Sequence, residues 1–147
     1  MASLSPIDAS EAARVVVAKT VYGEARGEGA DGQAAVAWVI RNRTCRRTKT
    51  GGPYWWGGDL ISVCRKPYQF SCWLASDPNR AKLDGLALTD PTYLVCRAAV
   101  DRVFDGQESD PTNGATSYYA TDIPAPKWAA NRAPSAHIGH HIFFVDP

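Results

Sequence analysis

Two glutamates stand four residues apart in a short glycine-rich segment. Glu24 and Glu28 lie in the stretch Y-G-E-A-R-G-E-G, residues 22–29. On a helix that continued through this stretch, they would share a face, and the neighbouring glycines would let a large substrate approach closely. Burial would raise the pKa of such a carboxyl, and a protonated carboxyl is the general acid that glycosidic bond cleavage needs. A surface ion pair with a nearby arginine is the alternative.

Mainly helical elements are predicted to position these carboxylates. Helices are predicted over residues 11–26, 32–43, 60–65 and 92–104. We expect Ser5-Pro6 or Asp8 to begin the first helix and Asp31 to cap the second. Strands are predicted over residues 115–120 and 140–145, with an irregular connection over residues 123–136. The expected fold class is therefore α+β, mainly α, with a small β portion near the C-terminus.

Length, charge and apolar patterning exclude several classes of protein. The 147 residues fit one domain, and 16 Lys and Arg against 15 Asp and Glu leave a net charge of +1. This balance excludes a protein that binds nucleic acid or an anionic membrane mainly through its overall charge. The longest apolar runs are too short to span a bilayer, and the N-terminus lacks a signal-peptide pattern. We expect a protein that is made in a cytosol and does not insert into membranes.

The four cysteines contain no C-x-x-C pair, so a zinc ribbon is not expected. Reduced and mostly buried thiols are the expected state. A Cys64–Cys72 disulfide in an oxidising compartment is the alternative, and sequence separation alone does not decide between the two.

Several blocks of the sequence together resemble the spore cortex-lytic (SleB-type) cell wall hydrolase family. The first is V-Y-G-E-A-R-G-E, followed by G-Q-A-A-V-A-W-V-I-R-N-R. Further matching blocks follow in order at residues 67–73, 110–115, 128 and 138–144. The resemblance covers nearly the whole chain. It implies the fold of lysozymes and lytic transglycosylases, with residues 1–147 as a single peptidoglycan hydrolase catalytic domain.

The resemblance also implies a reaction and the residues that perform it. The family cleaves the glycan strand of peptidoglycan between N-acetylmuramic acid and N-acetylglucosamine. Glu24 matches the first Glu of the family's E-A-x-G-E motif and is the implied general acid and base. Glu28 matches the second, as a second acid or an orienting residue. Many relatives have a histidine where this chain has Tyr118-Tyr119, so a contact made by that histidine would be replaced or lost.

Aromatic and polar residues are expected to bind the sugars, because sugar rings have apolar faces ringed by hydroxyls. The predicted set is Gln69, Phe70, Trp73, Tyr118, Tyr119 and His140. Core packing is the alternative for Phe70 and Trp73. In a muramidase, water attacks with help from a second carboxylate, and the sequence shows no clear candidate apart from Glu28. We therefore favour a lytic transglycosylase, which forms an anhydro product, over a muramidase.

Two other functions are alternatives. A zinc-dependent N-acetylmuramoyl-L-alanine amidase would use His137, His140 and His141, but residues four apart on a strand lie ~13 Å apart, too far for one metal. A non-catalytic glycan-binding module would need the aromatic residues but not Glu24. We predict no metal or cofactor, and a monomer whose partner is bacterial peptidoglycan.

The biological setting is predicted from the same features. A wall-cleaving motif set without a signal peptide predicts a phage or prophage endolysin. We expect such an enzyme to stay in the host cytoplasm until the membrane is permeabilised, and then to act on periplasmic peptidoglycan. A bacterial hydrolase exported by another route is the alternative.

Overall fold

The computed structural model describes residues 5–146, which form five α-helices and a small antiparallel sheet. The helices are α1 (Glu11–Ala25), α2 (Ala30–Cys45), α3 (Leu60–Arg65), α4 (Pro78–Asp84) and α5 (Pro91–Phe104). The strands are β1 (Ser117–Ala120), β2 (Ala136–Ile138) and β3 (His141–Phe144). Short 3-10 turns occur at Ser71–Trp73 and Lys127–Ala129. The prediction of a mainly helical α+β fold with a small β portion near the C-terminus is confirmed.

The starts of the first two helices differ from the prediction. Ser10 caps α1, because its side chain accepts a hydrogen bond from a first-turn N–H, so the prediction that Ser5-Pro6 or Asp8 begins this helix was wrong. Gly29 occupies the N-cap of α2, and Asp31 lies inside the first turn instead of capping it. An acidic side chain there still interacts favourably with the helix N-terminus.

The main core lies where α1, α2, α3 and α5 pack together. Its fully buried side chains include Val17, Val36, Ile40, Val100 and Phe104. Burial of each stabilises the fold by about 1.5–3 kcal/mol relative to exposure. Helix α2 belongs to this core, since it is buried on most sides.

The sheet has the strand order β1-β3-β2, with both strand pairs antiparallel. Ala35 and Val39 of α2 pack against Phe143 in a second apolar cluster, which fixes the sheet beside the helices. The strand β2 was missed, because a three-residue strand after a proline-rich segment has too little alternation to be recognised. Its pairing with β3 ends the predicted irregular connection at Ala136.

The cysteine thiols are free in this structure. Cys64, Cys72 and Cys96 are buried, whereas Cys45 is exposed. The buried positions agree with the predicted mostly buried thiols. Among residues 5–146, no helix is both long enough and apolar enough to cross a membrane.

Candidate active site

Glu24 lies in the last turn of α1, where its carboxyl is largely removed from water. The Tyr118 hydroxyl donates a hydrogen bond to Glu24 Oε1 at 2.8 Å, and the Cys72 thiol is a second hydrogen-bonding partner. Burial raises the pKa of Glu24, and the nearby Asp77 carboxylate adds to this increase. The Tyr118 and Cys72 hydrogen bonds and the Arg43 charge act in the opposite direction but are outweighed. Glu24 therefore holds a proton at a higher pH than an ordinary glutamate.

A groove crosses the face between α1 and the sheet. Its centre is a cavity of about 730 Å³ that holds Glu24. A second cavity of about 410 Å³ shares Glu24 with the centre, and a third of about 420 Å³ shares Tyr118 and Trp128 with it. The three cavities form one groove, with Glu28 at one end and Arg43 at the other. An extended ligand suits this shape and would pass over the Glu24 carboxyl.

Glu28 does not continue the face of α1 that carries Glu24. The helix ends at Ala25 and the chain turns, so the condition under which the two glutamates would share a helical face is not met. The Glu28 side chain is only 8% exposed and binds the turn between β2 and β3. Its Oε1 accepts from the His140 backbone N–H at 2.7 Å, and its Oε2 lies 2.8 Å from His140 Nδ1.

The charge state of Glu28 follows from these contacts. Burial alone would raise the pKa of Glu28, but the two His140 hydrogen bonds and the charge of His141 lower it below its usual range. Conversely, the hydrogen bond to Glu28 raises the pKa of His140. Burial lowers the pKa of His141, whose Nδ1 lies 3.5 Å from Glu28 Oε1 and makes no hydrogen bond. Glu28 is therefore an ionised anchor, in contrast to Glu24, whose pKa is raised.

The predicted sugar-binding residues separate into two groups. Four line the groove: Gln69, Tyr118, Tyr119 and His140. Phe70 and Trp73 are buried in the core instead, and the Trp73 indole donates to Thr20 Oγ1 at 2.9 Å. Both residues therefore pack in the core, which was the alternative to sugar binding, and they lie beneath the loop that carries Gln69.

Other groove residues were not predicted from the sequence to bind the sugars. They include Arg43, Asn79, Asp122 and Trp128. Asp122 is exposed in the turn after β1, across the groove from α1. Cys72 contacts Glu24 from beneath. The Q-F-S-C-W block was a signal for Cys72, but nothing local marks Asp122, because its place depends on the pairing of β1 with β3.

The histidine cluster does not assemble a metal site with neighbouring acids or thiols. Within residues 5–146, no group of three or more His, Cys, Asp and Glu side chains is arranged to hold a metal ion. His137 lies on β2 and is exposed, whereas His140 and His141 face Glu28. The contacts of His140 and His141 with Glu28 instead anchor the β2–β3 turn.

Gly23 is required by close packing behind Glu24. A Cβ at this position would lie 2.7 Å from Cys72 Cβ and 2.8 Å from its sulfur. We expect Gly23→Ala to lower the free energy of unfolding by about 2 kcal/mol, because overpacking outweighs the better helix propensity of alanine. Denaturant unfolding measures this. Gly27→Ala, where a Cβ would meet nothing within 4 Å, is the control and should change stability by less than about 0.5 kcal/mol. Equal stability of the two variants would contradict the packing argument.

The fold is lysozyme-like, with helices on one side and a small sheet on the other. The desolvated carboxyl lies in the groove between them. The chain belongs to the cell wall hydrolase family, whose model matches residues 27–144. That match begins three residues after Glu24 and includes Glu28, the sheet and most of the groove.

Similar proteins are spore cortex-lytic enzymes. Those of Halalkalibacterium halodurans and Bacillus subtilis are 35% and 30% identical over 128 residues, which is 87% of this chain. The chain spans only 33% and 36% of those two relatives. The SleB catalytic domain of Bacillus cereus superposes with a TM-score of 0.70 at 28% identity, covering 95% of this chain and 94% of that domain. The corresponding domain of the Bacillus anthracis germination-specific lytic transglycosylase SleB gives 0.71 at 29% identity, with coverages of 94% and 98%.

Proposed function

We propose that this domain cleaves peptidoglycan glycan strands between N-acetylmuramic acid and N-acetylglucosamine as a lytic transglycosylase. The observation that carries the proposal is the Glu24 carboxyl, desolvated and hydrogen-bonded to Tyr118 at the centre of the groove. Burial raises the pKa of Glu24, whereas the pKa values of Glu11, Glu28 and Asp59 are lowered. The likeness to a lytic transglycosylase catalytic domain supports the same reaction.

In the first step, Glu24 donates its proton to the glycosidic oxygen. The bond between muramic acid C1 and that oxygen breaks, and positive charge develops at C1 as an oxocarbenium-like centre. The hydrogen bond from Tyr118 makes Glu24 Oε1 an acceptor, which leaves the acidic proton for Oε2. After the proton leaves, the same Tyr118 hydrogen bond stabilises the carboxylate.

In the second step, the muramic acid 6-hydroxyl attacks C1. Glu24 now accepts the hydroxyl proton, so the carboxyl returns to its starting state and a 1,6-anhydro sugar is released. Glu28 is already paired with His140, which makes it a poor base for water. Asp122 is the other carboxylate that lines the groove beside Glu24, and it is exposed to solvent. The arrangement favours internal attack over hydrolysis.

Product analysis of digested sacculi tests this proposal. Purified sacculi treated with the domain should release muropeptides with a 1,6-anhydro end, identified by mass spectrometry as lacking one water relative to reducing-end products. Asp122→Asn should leave the product distribution unchanged. Reducing-end products alone would show a muramidase, and their loss in Asp122→Asn would assign the water-directing carboxylate to Asp122.

Removal of the Tyr118 hydroxyl is expected to shift the pH profile. Tyr118→Phe takes away a donor that lowers the pKa of Glu24, so this pKa rises further. Because the acid must be protonated, the alkaline limb of kcat/KM should move to higher pH, while the maximal rate falls about tenfold from lost orientation. Tyr119→Phe, whose ring stacks on Phe144, is the control and should keep the wild-type limb. An unshifted limb in Tyr118→Phe would contradict this account of the acid.

We also propose that the enzyme serves host cell lysis as a phage endolysin, waiting in the cytoplasm until the membrane is permeabilised. What supports this is the expected ability of strand cleavage to weaken the wall. Cytoplasmic expression in a Gram-negative host should leave culture turbidity unchanged until chloroform is added, after which turbidity should fall. Glu24→Gln should remove that fall and so separate cleavage from simple glycan binding. Lysis before chloroform would contradict the proposed containment.

A further inference from the structure

Arg43 is a buried cation at one end of the groove. The residue is only 6% exposed, and among residues 5–146 it forms no ion pair with any carboxylate. Its Nε donates to the Thr116 carbonyl at 2.6 Å, and its Nη1 donates to Gln69 Oε1 at 3.3 Å. These two neutral acceptors leave part of the donor capacity of the guanidinium unused.

Aromatic rings hold this guanidinium in place. Its carbon lies 5.2 Å from the centre of the Trp56 ring and 5.0 Å from that of Phe70. Both rings are fully buried, so they fix the direction of Arg43 towards the cavity that it lines. A buried charge without an acidic partner is costly in free energy, and such a charge beside an open cavity is suited to an incoming anion.

The other charged groups of this cavity largely satisfy one another. Arg132 and Asp146 also line it, and Arg132 Nη2 lies 3.5 Å from Asp146 Oδ1. Asp146 acts on Arg43 through its charge but is not within ion-pair distance of it. One positive charge, that of Arg43, therefore lacks an acid partner in this cavity.

The cavity is continuous with the centre of the groove, since Tyr118 and Trp128 line both. Trp55 and Trp128 are 57% and 40% exposed, and their rings offer platforms for sugar faces. A ligand in this cavity would therefore be part of the same strand that passes over Glu24. The substituent that distinguishes muramic acid from glucosamine is its lactyl group, which carries a carboxylate or the stem peptide.

We propose that this cavity binds a carboxylate carried by a muramyl residue of the strand, with Arg43 as the specificity-determining residue. The inference rests on the proposed function and names a feature of its substrate. Planar guanidinium groups bind carboxylates through paired, charge-assisted hydrogen bonds. The carboxylate comes either from a free lactyl group or from the stem peptide, and the experiment below distinguishes these sources.

The test compares native glycan strands with strands whose carboxylates are converted to neutral amides. For wild type, KM should be about tenfold lower on native strands, with kcat unchanged, because the contact exists equally in ground and transition states. Arg43→Gln should lose this preference, so that its KM is the same on native and amidated strands. A preference on peptide-free strands identifies the lactyl carboxylate, and a preference confined to peptide-bearing strands identifies the stem peptide.

Matched variants separate this role from a structural one. Lys49→Gln removes the same charge from an exposed loop position and should keep the preference. Arg132→Gln leaves the Asp146 carboxylate without its partner, so that it repels the ligand and should also weaken the preference. This variant tests the inference if Arg43→Gln does not fold. Equal KM values of wild type for native and amidated strands would overturn the inference. An equal increase of KM on both kinds of strand in Arg43→Gln would overturn it as well.

Failure of the proposed function has a different signature. If wild type cleaves neither kind of strand, that function is wrong, and calorimetric titration of the Glu24→Gln variant with the two kinds of strand still decides the inference. Tighter binding of native strands supports the carboxylate site, and equal binding overturns it.

Discussion

Glu24→Gln is expected to lower kcat for strand cleavage by about a thousandfold, because the amide cannot donate the proton that the leaving oxygen requires. The variant keeps an oxygen that can accept the 2.8 Å hydrogen bond from Tyr118, so the groove should keep its shape. The measurement is the rate of anhydro-muropeptide release from purified sacculi. Retention of most of the activity would remove Glu24 from the mechanism.

The same substitution is expected to stabilise the fold at neutral pH. Burial raises the pKa of Glu24 above its unfolded value, so ionisation costs more in the folded state. The folded state therefore loses stability as pH rises from the unfolded pKa through the folded one, and a neutral glutamine avoids that loss. The thermal midpoint of Glu24→Gln minus that of wild type should therefore be larger at pH 7 than at pH 4. Glu108→Gln, outside the groove, is the control and should leave both activity and this pH trend unchanged.

Glu28→Ala is expected to lower the free energy of unfolding by about 2 kcal/mol. The substitution removes a charge-assisted contact to His140 Nδ1 and leaves the His140 backbone N–H without its acceptor. It also frees the β2–β3 turn, where Gly139 has a φ of 57° and where an added Cβ would lie 2.8 Å from Glu28 Oε1. Because this turn borders the groove, the rate of strand cleavage should fall as well.

Glu28→Gln is the matched variant for this prediction. It keeps an acceptor for the backbone N–H but removes the charge, so its loss of stability should be intermediate. Denaturant unfolding of both variants and wild type provides the comparison. If Glu28→Ala were as stable as wild type yet inactive, Glu28 would belong to the chemistry instead of the anchor.

The stability supplied by this anchor is expected to depend on pH in both directions. The pKa of Glu28 is lowered, so its contribution is present above the unfolded value of about 4.5 and is lost as pH falls through the folded one. The pKa of His140 is raised, so its contribution is present below about 6.5 and is lost as pH rises through the folded one. The stability difference between wild type and Glu28→Ala should be largest between these values.

Two neighbours modify this profile. His141 is buried with a lowered pKa, so its protonation opposes folding at low pH, and Asp122 favours the charged form of both histidines. Unfolding free energies measured at several pH values check the expected maximum, and His140→Ala should flatten its alkaline side. A difference that stays constant with pH would contradict an ionic anchor.

Much of the helical framework could be predicted from the sequence. The capping pair Asp90-Pro91 and the apolar stripe of α5 are local signals, and local signals determine where a helix forms. Likewise, the motif around Glu24 singled out from the sequence a carboxyl that the structure buries at the centre of the groove. By contrast, the cap of α1 was misplaced, because several nearby side chains could serve and the local sequence does not distinguish Ser10 from them.

The contacts that give each acidic side chain its chemistry were decided by the tertiary structure. Glu24 and Glu28 are the same residue type four positions apart, yet one is desolvated beside Tyr118 and the other is ionised beside His140. Their partners are 94 and 112 residues away along the chain. The pairing of β1 with β3 and the turn after β2 bring those partners into place, and no local pattern encodes that pairing. A pKa depends on burial and on neighbouring charges, so the residue types alone could indicate acid chemistry but could not say which glutamate has the raised pKa.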